Sequence, residues 1–240
     1  MADSGNHRVQ KFDMNGNFIK KWGSWGSKNS QFNDPVGVCV DSSGNVYVAD
    51  SRNHRIQKFN PSGTFLQSFG EQGTNNGQFS FPSDVTIDDL GNIYVADTNN
   101  NRIQKFDPDW NFITKWGTRG SNDSQFIYPY SAVSDGQNVY VADWSNHRIQ
   151  KFDSNGSFLL KWGQRGNGDG QFYNPSGITS DLVGNVYVAD VNNHRIQKFD
   201  SNGVFLNSWG IRGNKQGQFS FPSDVTIDKN GYYQKALYQF

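Results

Sequence analysis

Apolar and polar residues follow one another in short runs that are bounded by glycine, asparagine and proline. In one stretch these runs are Pro82–Ile87, 92–96, Arg102–Phe106 and 111–116, which we name strands a, b, c and d. They are rich in Val, Ile, Tyr and Phe, which favour strands, and no segment has a sustained apolar period of 3.6 residues. The pattern therefore predicts an all-β chain with almost no helix.

The residues between these runs are those that tight turns require. The a–b turn carries Asp-x-x-Gly-Asn, as at residues 88–92, and the c–d turn carries Asn-Gly, as at Asn155-Gly156. Asn and Gly tolerate the positive φ angles of hairpin turns. Proline opens strand a, where its missing N–H is least harmful. Each set of four runs therefore predicts an antiparallel four-stranded unit.

The four-stranded unit is repeated along the whole chain. Each copy contains Ala-Asp followed, after three variable residues, by Asn or His, Arg, Ile or Val, Gln, Lys and Phe. The Asp positions are 47, 47, 46 and 47 residues apart, and Gln-Phe pairs and prolines recur with the same spacings. The repeat aspartates are Asp3, Asp50, Asp97, Asp143 and Asp190. Because five copies fill nearly all of the 240 residues, we predict a single domain over residues 1–240.

Four-stranded units repeated every 40 to 50 residues are typical of β-propeller blades. The chain opens with strands c and d (Arg8–Phe12 and 17–22) and ends with strand a (Pro222–Ile227). We therefore expect five blades, with the last blade closed by both termini pairing in one sheet. The tail 232–240 departs from the repeat, since Leu237 stands where the aspartate belongs. A parent protein with six blades is the alternative.

Several stretches resemble the NHL repeat. They are Val-Tyr-Val-Ala-Asp at 46–50, Asn-His-Arg-Ile-Gln-Lys-Phe at 53–59, and Gly-x-x-Gly followed by Gln-Phe and proline at 163–175. Asn-His-Arg also recurs at 6–8, 146–148 and 193–195. The resemblance implies a β-propeller, commonly of six blades. It also implies several alternative roles: a protein-binding module, an RNA-binding domain as in tripartite-motif proteins, an extracellular sensor, or an enzyme such as peptidylamidoglycolate lyase.

We interpret the polar residues that recur in every copy as structural residues of the repeat. The four histidines share one repeat position on the approach to strand c, which is too far from its counterparts in other blades to share one zinc ion. We expect them to cap the b–c turn, and we expect the repeated Asp and Arg to bond turn amides and each other. These structural residues are Asp50, His54, Arg55, Asp97, Arg102, Asp143, Arg148, Asp190 and Arg195.

Two acidic residues suggest a weak cation site. Asp84 and Asp224 stand two residues after the proline of strand a, where a propeller has its central channel. With Ser131 and backbone carbonyls they could hold a hard divalent cation, whereas the alternative is hydrogen bonding to water or strand-end amides. No other cofactor is expected. Cys39, the only cysteine, has no sequence sign of an activating base, and we interpret it as a small buried side chain.

Positions that vary between copies are the candidates for binding. The d–a and b–c loops emerge on the same side of the sheets, which we name the upper face, and they are longer than the turns on the other side. One position of the d–a loop reads Trp25, Gln72, Arg119, Arg165 and Arg212 along the chain, and Trp144 and Tyr130 replace smaller residues of other copies. Trp, Tyr and Arg are typical of interface hot spots. The candidate partner-binding residues are Trp25, Arg119, Tyr130, Trp144, Arg165 and Arg212.

Charge does not favour nucleic acid. The chain has 22 basic and 22 acidic residues, and its d–a loops carry five basic against four acidic residues. No run of 18 apolar residues predicts a membrane span. We therefore predict a non-catalytic module that binds a protein or peptide through the upper face. The alternatives are an RNA-binding module and a metal-dependent lyase or hydrolase at the channel mouth.

Overall fold

The computed structural model describes residues 1–227 and the strand residues 233–237, and side chains over residues 1–227. This part of the chain is all-β. Its helices are three-residue 3-10 turns between strands b and c, none of which could cross a membrane. The predicted all-β architecture of four-stranded blades is confirmed. The predicted bounds of strands a and c in the copy at Pro82–Ile87 and Arg102–Phe106 agree with those observed.

The chain divides into two compact units. Unit 1 is Met1–Asn100 with Gln104–Ile113, and unit 2 is Asn101–Ile103 with the described residues from Thr114 onward. Sheet 1 consists of Ala2–Asp3, Arg8–Phe12 and Phe18–Trp22, and sheet 2 of Pro35–Val40, Val46–Asp50, Arg55–Phe59 and Phe65–Phe69. Sheet 3 consists of Pro82–Ile87, Ile93–Asp97, Arg102–Phe106 and Phe112–Trp116.

Unit 2 contains the remaining sheets. Sheet 4 consists of Pro129–Ser134, Asn138–Asp143, Arg148–Asp153 and Phe158–Trp162, and sheet 5 of Pro175–Ser180, Val186–Asp190, Arg195–Phe199 and Phe205–Trp209. Sheet 6 pairs Pro222–Ile227 with Tyr233–Leu237. The short strands Thr118–Arg119 and Gln125–Phe126 pair in parallel within a d–a loop. In sheet 4 the a–b turn is one residue shorter than elsewhere, running from Asp135 to Asn138, which accounts for the single repeat interval of 46.

The pairing expected between the two ends of the chain is corrected. Strand c of sheet 1 pairs with Ala2–Asp3, so that Ala2 faces Val9 and Asp3 faces Arg8. Pro222–Ile227 pairs with Tyr233–Leu237. In the described residues the ends thus belong to separate sheets of three and two strands. The reason is that Ala2-Asp3 is itself the end of a strand b and takes the place beside strand c that the tail was expected to fill.

The core of each unit lies between neighbouring sheets. In unit 1, Tyr47 and Ala49 of sheet 2 pack with Val85, Val95 and Phe106 of sheet 3. In unit 2, Tyr140 and Ala142 of sheet 4 pack in the same way with Ile178, Val188 and Phe199 of sheet 5. Alternate residues of these strands thus pack on a neighbouring sheet. This burial of apolar area stabilises the sheets, whereas an isolated two-stranded hairpin is only marginally stable.

At the contact between the end of strand d and the next c–d turn, one copy has the large and the small residue in reversed positions. Strand d usually ends in Trp, which lies against the glycine of the next c–d turn, as Trp22 lies against Gly63 and Trp162 against Gly203. In sheet 2 strand d ends in Phe69, and the next c–d turn carries Trp110 instead of glycine. The two rings stack with centroids 4.4 Å apart and planes 18° apart. Trp110 has a φ of 67°, in the same left-handed region as the glycines at this position, whose φ angles are 76° to 87°.

Candidate partner-binding site

The buried aspartates fasten the d–a loops to the sheets. Asp50 is fully buried at the end of strand b, directly opposite Arg55 of strand c. Its Oδ2 accepts hydrogen bonds from Arg55 Nε at 2.8 Å and from Gln57 Nε2 at 3.0 Å. Its Oδ1 accepts from the backbone N–H of Asn33, in the preceding d–a loop, at 2.7 Å. Burial raises the pKa of this carboxyl group, and the hydrogen bonds from Asn33 and Arg55 act in the opposite direction.

The arginines complete the same network from the other side. Arg55 Nη2 donates to the carbonyl oxygens of Lys28 and Gln31 at 2.8 and 2.9 Å, and Gln57 Nε2 also donates to Gln31 O at 2.7 Å. Arg148 and Arg195 donate to the equivalent loop carbonyls in unit 2. Asp97, Arg102, Asp143 and Asp190 are likewise buried. The shared Asp and Arg side chains are therefore occupied in holding the d–a loops.

The histidines cap the b–c turn through their backbone N–H, and their side chains hold the far end of the next loop. Each has a left-handed backbone, with φ between 52° and 57°. His54 Nδ1 accepts a hydrogen bond from the N–H of Phe81 at 3.1 Å, and His147 Nδ1 accepts from Asn174 at 3.1 Å. In the copy without histidine, Asn101 Oδ1 accepts from the N–H of Tyr128 at 3.1 Å. Asparagine replaces histidine there because it also supplies an acceptor and tolerates a positive φ.

This hydrogen bond should make stability depend on the protonation of the histidines. Nδ1 accepts only in the neutral ring, and burial lowers the pKa of His54, His147 and His194, with Arg165 and Arg212 adding to this for the last two. The unfolded chain therefore takes up protons first, so the free energy of unfolding should fall as the pH drops through the ordinary histidine pKa of about 6.5. Urea titrations between about pH 7.5 and about pH 5.5 measure this slope before most carboxylates titrate.

The copy that has Asn101 in place of histidine provides the template for a control variant. Replacing His54, His147 and His194 together by asparagine copies the arrangement at Asn101 and removes the three titrating groups. We expect this variant to fold and to lose the slope in that pH range. The explanation is wrong if the variant and the unchanged protein lose stability equally as the pH is lowered.

The variable position of the d–a loop stands on a rigid backbone. Trp25, Gln72, Arg165 and Arg212 each form a parallel bridge with the phenylalanine of the same loop, and Arg119 lies in the corresponding two-residue strand. Those phenylalanines are buried or half-buried, and Phe32, Phe79, Phe126 and Phe172 are fully buried. The side chains at the variable position are nevertheless exposed, and Trp25, in unit 1, is 69% exposed. Each loop therefore presents one variable side chain to solvent from a fixed position.

In unit 2 two consecutive b–c turns and the loops beside them are linked to one another. The half-buried Trp144 donates its backbone N–H to Tyr128 O at 3.3 Å, and Trp144 O accepts from Asn174 Nδ2 at 3.1 Å. Asn174 Oδ1 in turn accepts from Asn192 Nδ2 at 2.8 Å. Strand Pro129–Ser134, which carries the half-buried Tyr130, lies against the turn that contains Trp144.

Arg165 lies over an aromatic ring. Its guanidinium carbon is 4.9 Å from the ring centroid of Tyr173, and Nη2 is 3.4 Å from the tyrosine oxygen. His147 packs edge-on against the same ring. Tyr173 and Tyr128 are 38% and 40% exposed. We name Tyr128, Tyr130, Trp144, Arg165 and Tyr173 the unit-2 cluster.

Sequence reasoning missed Tyr128 and Tyr173. They occupy the two positions before the strand-a proline, which vary between copies as much as the position of Trp25 does. The aromatic residues Phe81 and Phe221 stand at the same position as Tyr128, with a positive φ and the ring against a histidine. Their variability was the signal that could have identified them.

The two acidic residues of the cation hypothesis lie in different units. Asp84 is adjacent to Gly37 and Asp224 to Gly177, and in each case a Cβ on the glycine would collide with the carboxylate. Each carboxylate accepts the N–H of the following residue, at 2.9 and 2.8 Å. No group of three His, Cys, Asp or Glu side chains able to hold a metal occurs within the described residues.

The repeat itself matches a known family model. The NHL repeat matches residues 32–59, 79–106, 132–152 and 172–199. The chain belongs to the NHL-repeat family. Each of the four matches covers the buried Asp-Arg pair and the histidine position, and three of them also cover the loop phenylalanine. No curated protein sequence matches the chain significantly.

Solved structures resemble this NHL-repeat chain in fold. Streptogramin B lyase is 16% identical with a TM-score of 0.66, and the match covers 100% of this chain and 78% of the lyase. An inactive virginiamycin B lyase from Staphylococcus aureus with quinupristin is 13% identical with a TM-score of 0.64, over 97% of this chain and 71% of that one. The gluconolactonase XC5397 of Xanthomonas campestris is 15% identical with a TM-score of 0.67, over 96% and 75%. At these identities the similarity concerns the β-propeller fold alone.

Proposed function

We propose that this chain is a non-catalytic binding module that recognises a protein or peptide through its upper face. The observation that carries the proposal is the unit-2 cluster. It places Trp, Tyr and Arg residues at positions where the repeat varies, on neighbouring loops and turns that are linked by hydrogen bonds and held in place by the repeated Asp, Asn and Arg residues. Trp, Tyr and Arg are the residues in which binding energy concentrates at interfaces.

The rigidity of the loops supports the same proposal. Loop backbones that are already hydrogen-bonded lose little conformational freedom when a partner binds, so less of the interaction energy is spent on ordering. The half-exposed Tyr128 and Tyr173 each offer apolar area and a polar tip without many rotatable bonds. Trp25 in unit 1 presents a second exposed aromatic side chain of the same kind.

Selection from a displayed library of random peptides tests the proposal. We expect peptides that bind the unchanged protein to lose about 2 kcal/mol of binding free energy, roughly thirtyfold in Kd, with Trp144→Ala, Trp25→Ala or the triple alanine variant of Arg119, Arg165 and Arg212. Thermal melts should change little for the exposed residues, since surface substitutions usually alter stability by about 0.5 kcal/mol or less.

Leu182→Ser is the matched control, because Leu182 is 93% exposed in an a–b turn on the side away from the upper face. It should leave peptide binding unchanged. Unchanged binding in all the upper-face variants would refute the proposal, and so would a loss of binding that accompanies loss of folding. Tighter binding of RNA than of any selected peptide would favour the alternative of an RNA-binding module.

A further inference from the structure

The positive charge of the d–a loops is concentrated in unit 2. The three loops 117–128, 163–174 and 210–221 carry four basic and two acidic residues, whereas the two loops of unit 1, 23–34 and 70–81, carry one basic and two acidic residues. The zero net charge of the chain conceals this difference. The basic residues of the unit-2 loops are Arg119, Arg165, Arg212 and Lys215.

The two acids of these loops are placed beside other cations. Asp123 Oδ1 is 2.5 Å from Lys161 Nζ, and Asp169 Oδ1 is 3.9 Å from Arg195 Nη1. By contrast, Arg119, Arg165 and Arg212 are exposed and make no ion pair within the described residues. Each therefore keeps hydrogen-bond donors free for an anion, while the backbone beneath it is fixed.

Aromatic side chains accompany these arginines. Arg165 lies over Tyr173, and the loop of Arg119 ends at Tyr128. The loop of Arg212 ends at Phe221, whose ring packs on His194 with centroids 4.5 Å apart. Each of the three loops therefore carries a planar guanidinium group, which matches a carboxylate in two parallel hydrogen bonds, and an aromatic residue at or next to its end that can cover an apolar side chain.

Resting on the proposed function, we infer that the unit-2 loops bind an acidic linear segment of a partner protein that carries aromatic or apolar residues between its carboxylates. One arginine per loop suits separated carboxylates. A nucleic acid carries a charge on every nucleotide and draws its affinity from many phosphate contacts, which four cations supply poorly.

The test uses fluorescein-labelled peptides and fluorescence anisotropy. The probe is a synthetic peptide of Glu-Tyr pairs separated by Gly-Ser, and its control has Gln in place of every Glu. We expect the acidic peptide to bind about tenfold more tightly or better, and its affinity to fall when sodium chloride is raised from about 50 mM to about 300 mM, because exposed charges are screened.

Charge-matched variants locate the site. Arg119→Gln, Arg165→Gln and Arg212→Gln together should remove the preference for the acidic peptide. Lys21→Gln, Lys28→Gln and Lys115→Gln together change the net charge equally but lie outside the unit-2 loops, and they should retain that preference.

Three results would overturn the inference: equal binding of the two peptides, no binding of the acidic peptide, or tighter binding of oligouridine than of the acidic peptide. Equal binding that is lost in Trp144→Ala would leave the proposed function intact and reject the acidic partner alone. Failure of the library selection would reject both.

Discussion

Replacing Asp143 with alanine should lower the free energy of unfolding by about 3–5 kcal/mol, because it leaves a buried arginine without its carboxylate. The side chains of Asp143 and Arg148 are 0% and 7% exposed, and Nε lies 2.8 Å from Oδ2. Oδ1 also accepts the N–H of Ile127 in the d–a loop at 2.9 Å, so that this backbone donor would lose its partner too. Urea denaturation followed by tryptophan fluorescence measures the loss.

Asp3→Ala is the matched control for this prediction. Asp3 makes the same bond to Arg8, with Nε 2.6 Å from Oδ2, but these side chains are 18% and 29% exposed. Because water can replace the lost contacts there, we expect a loss of about 1 kcal/mol or less. If the two substitutions prove equally costly, burial is not what makes the network important.

Exchanging the residues at the stacked pair Phe69 and Trp110 should reveal strong coupling between them. Trp110→Gly alone opens a cavity and should cost about 3–5 kcal/mol, as Trp or Phe truncations in a core do. Phe69→Trp alone overpacks the contact and should cost about 1–3 kcal/mol. Together they recreate the pair formed by Trp22 and Gly63, and the double variant should be more stable than Trp110→Gly.

A double-mutant cycle by thermal or urea unfolding measures this coupling, which we expect at about 2 kcal/mol. Combining Trp110→Gly with the exposed Leu182→Ser gives the control, in which the two effects should simply add. If the changes in the free energy of unfolding caused by Phe69→Trp and Trp110→Gly also simply add, the reversed positions of the large and small residues have no energetic basis.

The sequence allowed the strands to be predicted closely because their signals are local. Glycine and asparagine mark the turns, proline marks strand a, and the observed strands at Pro82–Ile87 and Arg102–Phe106 begin and end where these signals place them. The pairing at the chain ends could not be read in this way. Ala2-Asp3 is too short to show a pattern, and its pairing with Arg8–Phe12 depends on a contact that only the folded chain forms.

The candidate site was predicted in part for a similar reason. Trp144 and the loop arginines stood out because they break a repeated position. The role of Asn101 could not be recognised, because its Oδ1 accepts the N–H of Tyr128, which lies 27 positions further along the chain. The contact between Gly37 and Asp84 could not be predicted from the sequence either, since the two residues belong to different sheets and no sequence pattern links them.

The hydrogen bonds that hold the d–a loops also bear on how this protein can change during evolution. From each repeat Asp to the Gln of the next loop the interval is 28 residues in every copy, as from Asp50 to Gln78 and from Asp143 to Gln171. The single deleted residue lies instead in the a–b turn at Asp135, on the opposite side of the sheet. An insertion or deletion in the loop 163–174 would displace the N–H of Asn174, whose hydrogen bond His147 Nδ1 accepts. New binding specificities should therefore arise in this protein by substitution of single exposed side chains on loops of constant length, and not by lengthening of loops.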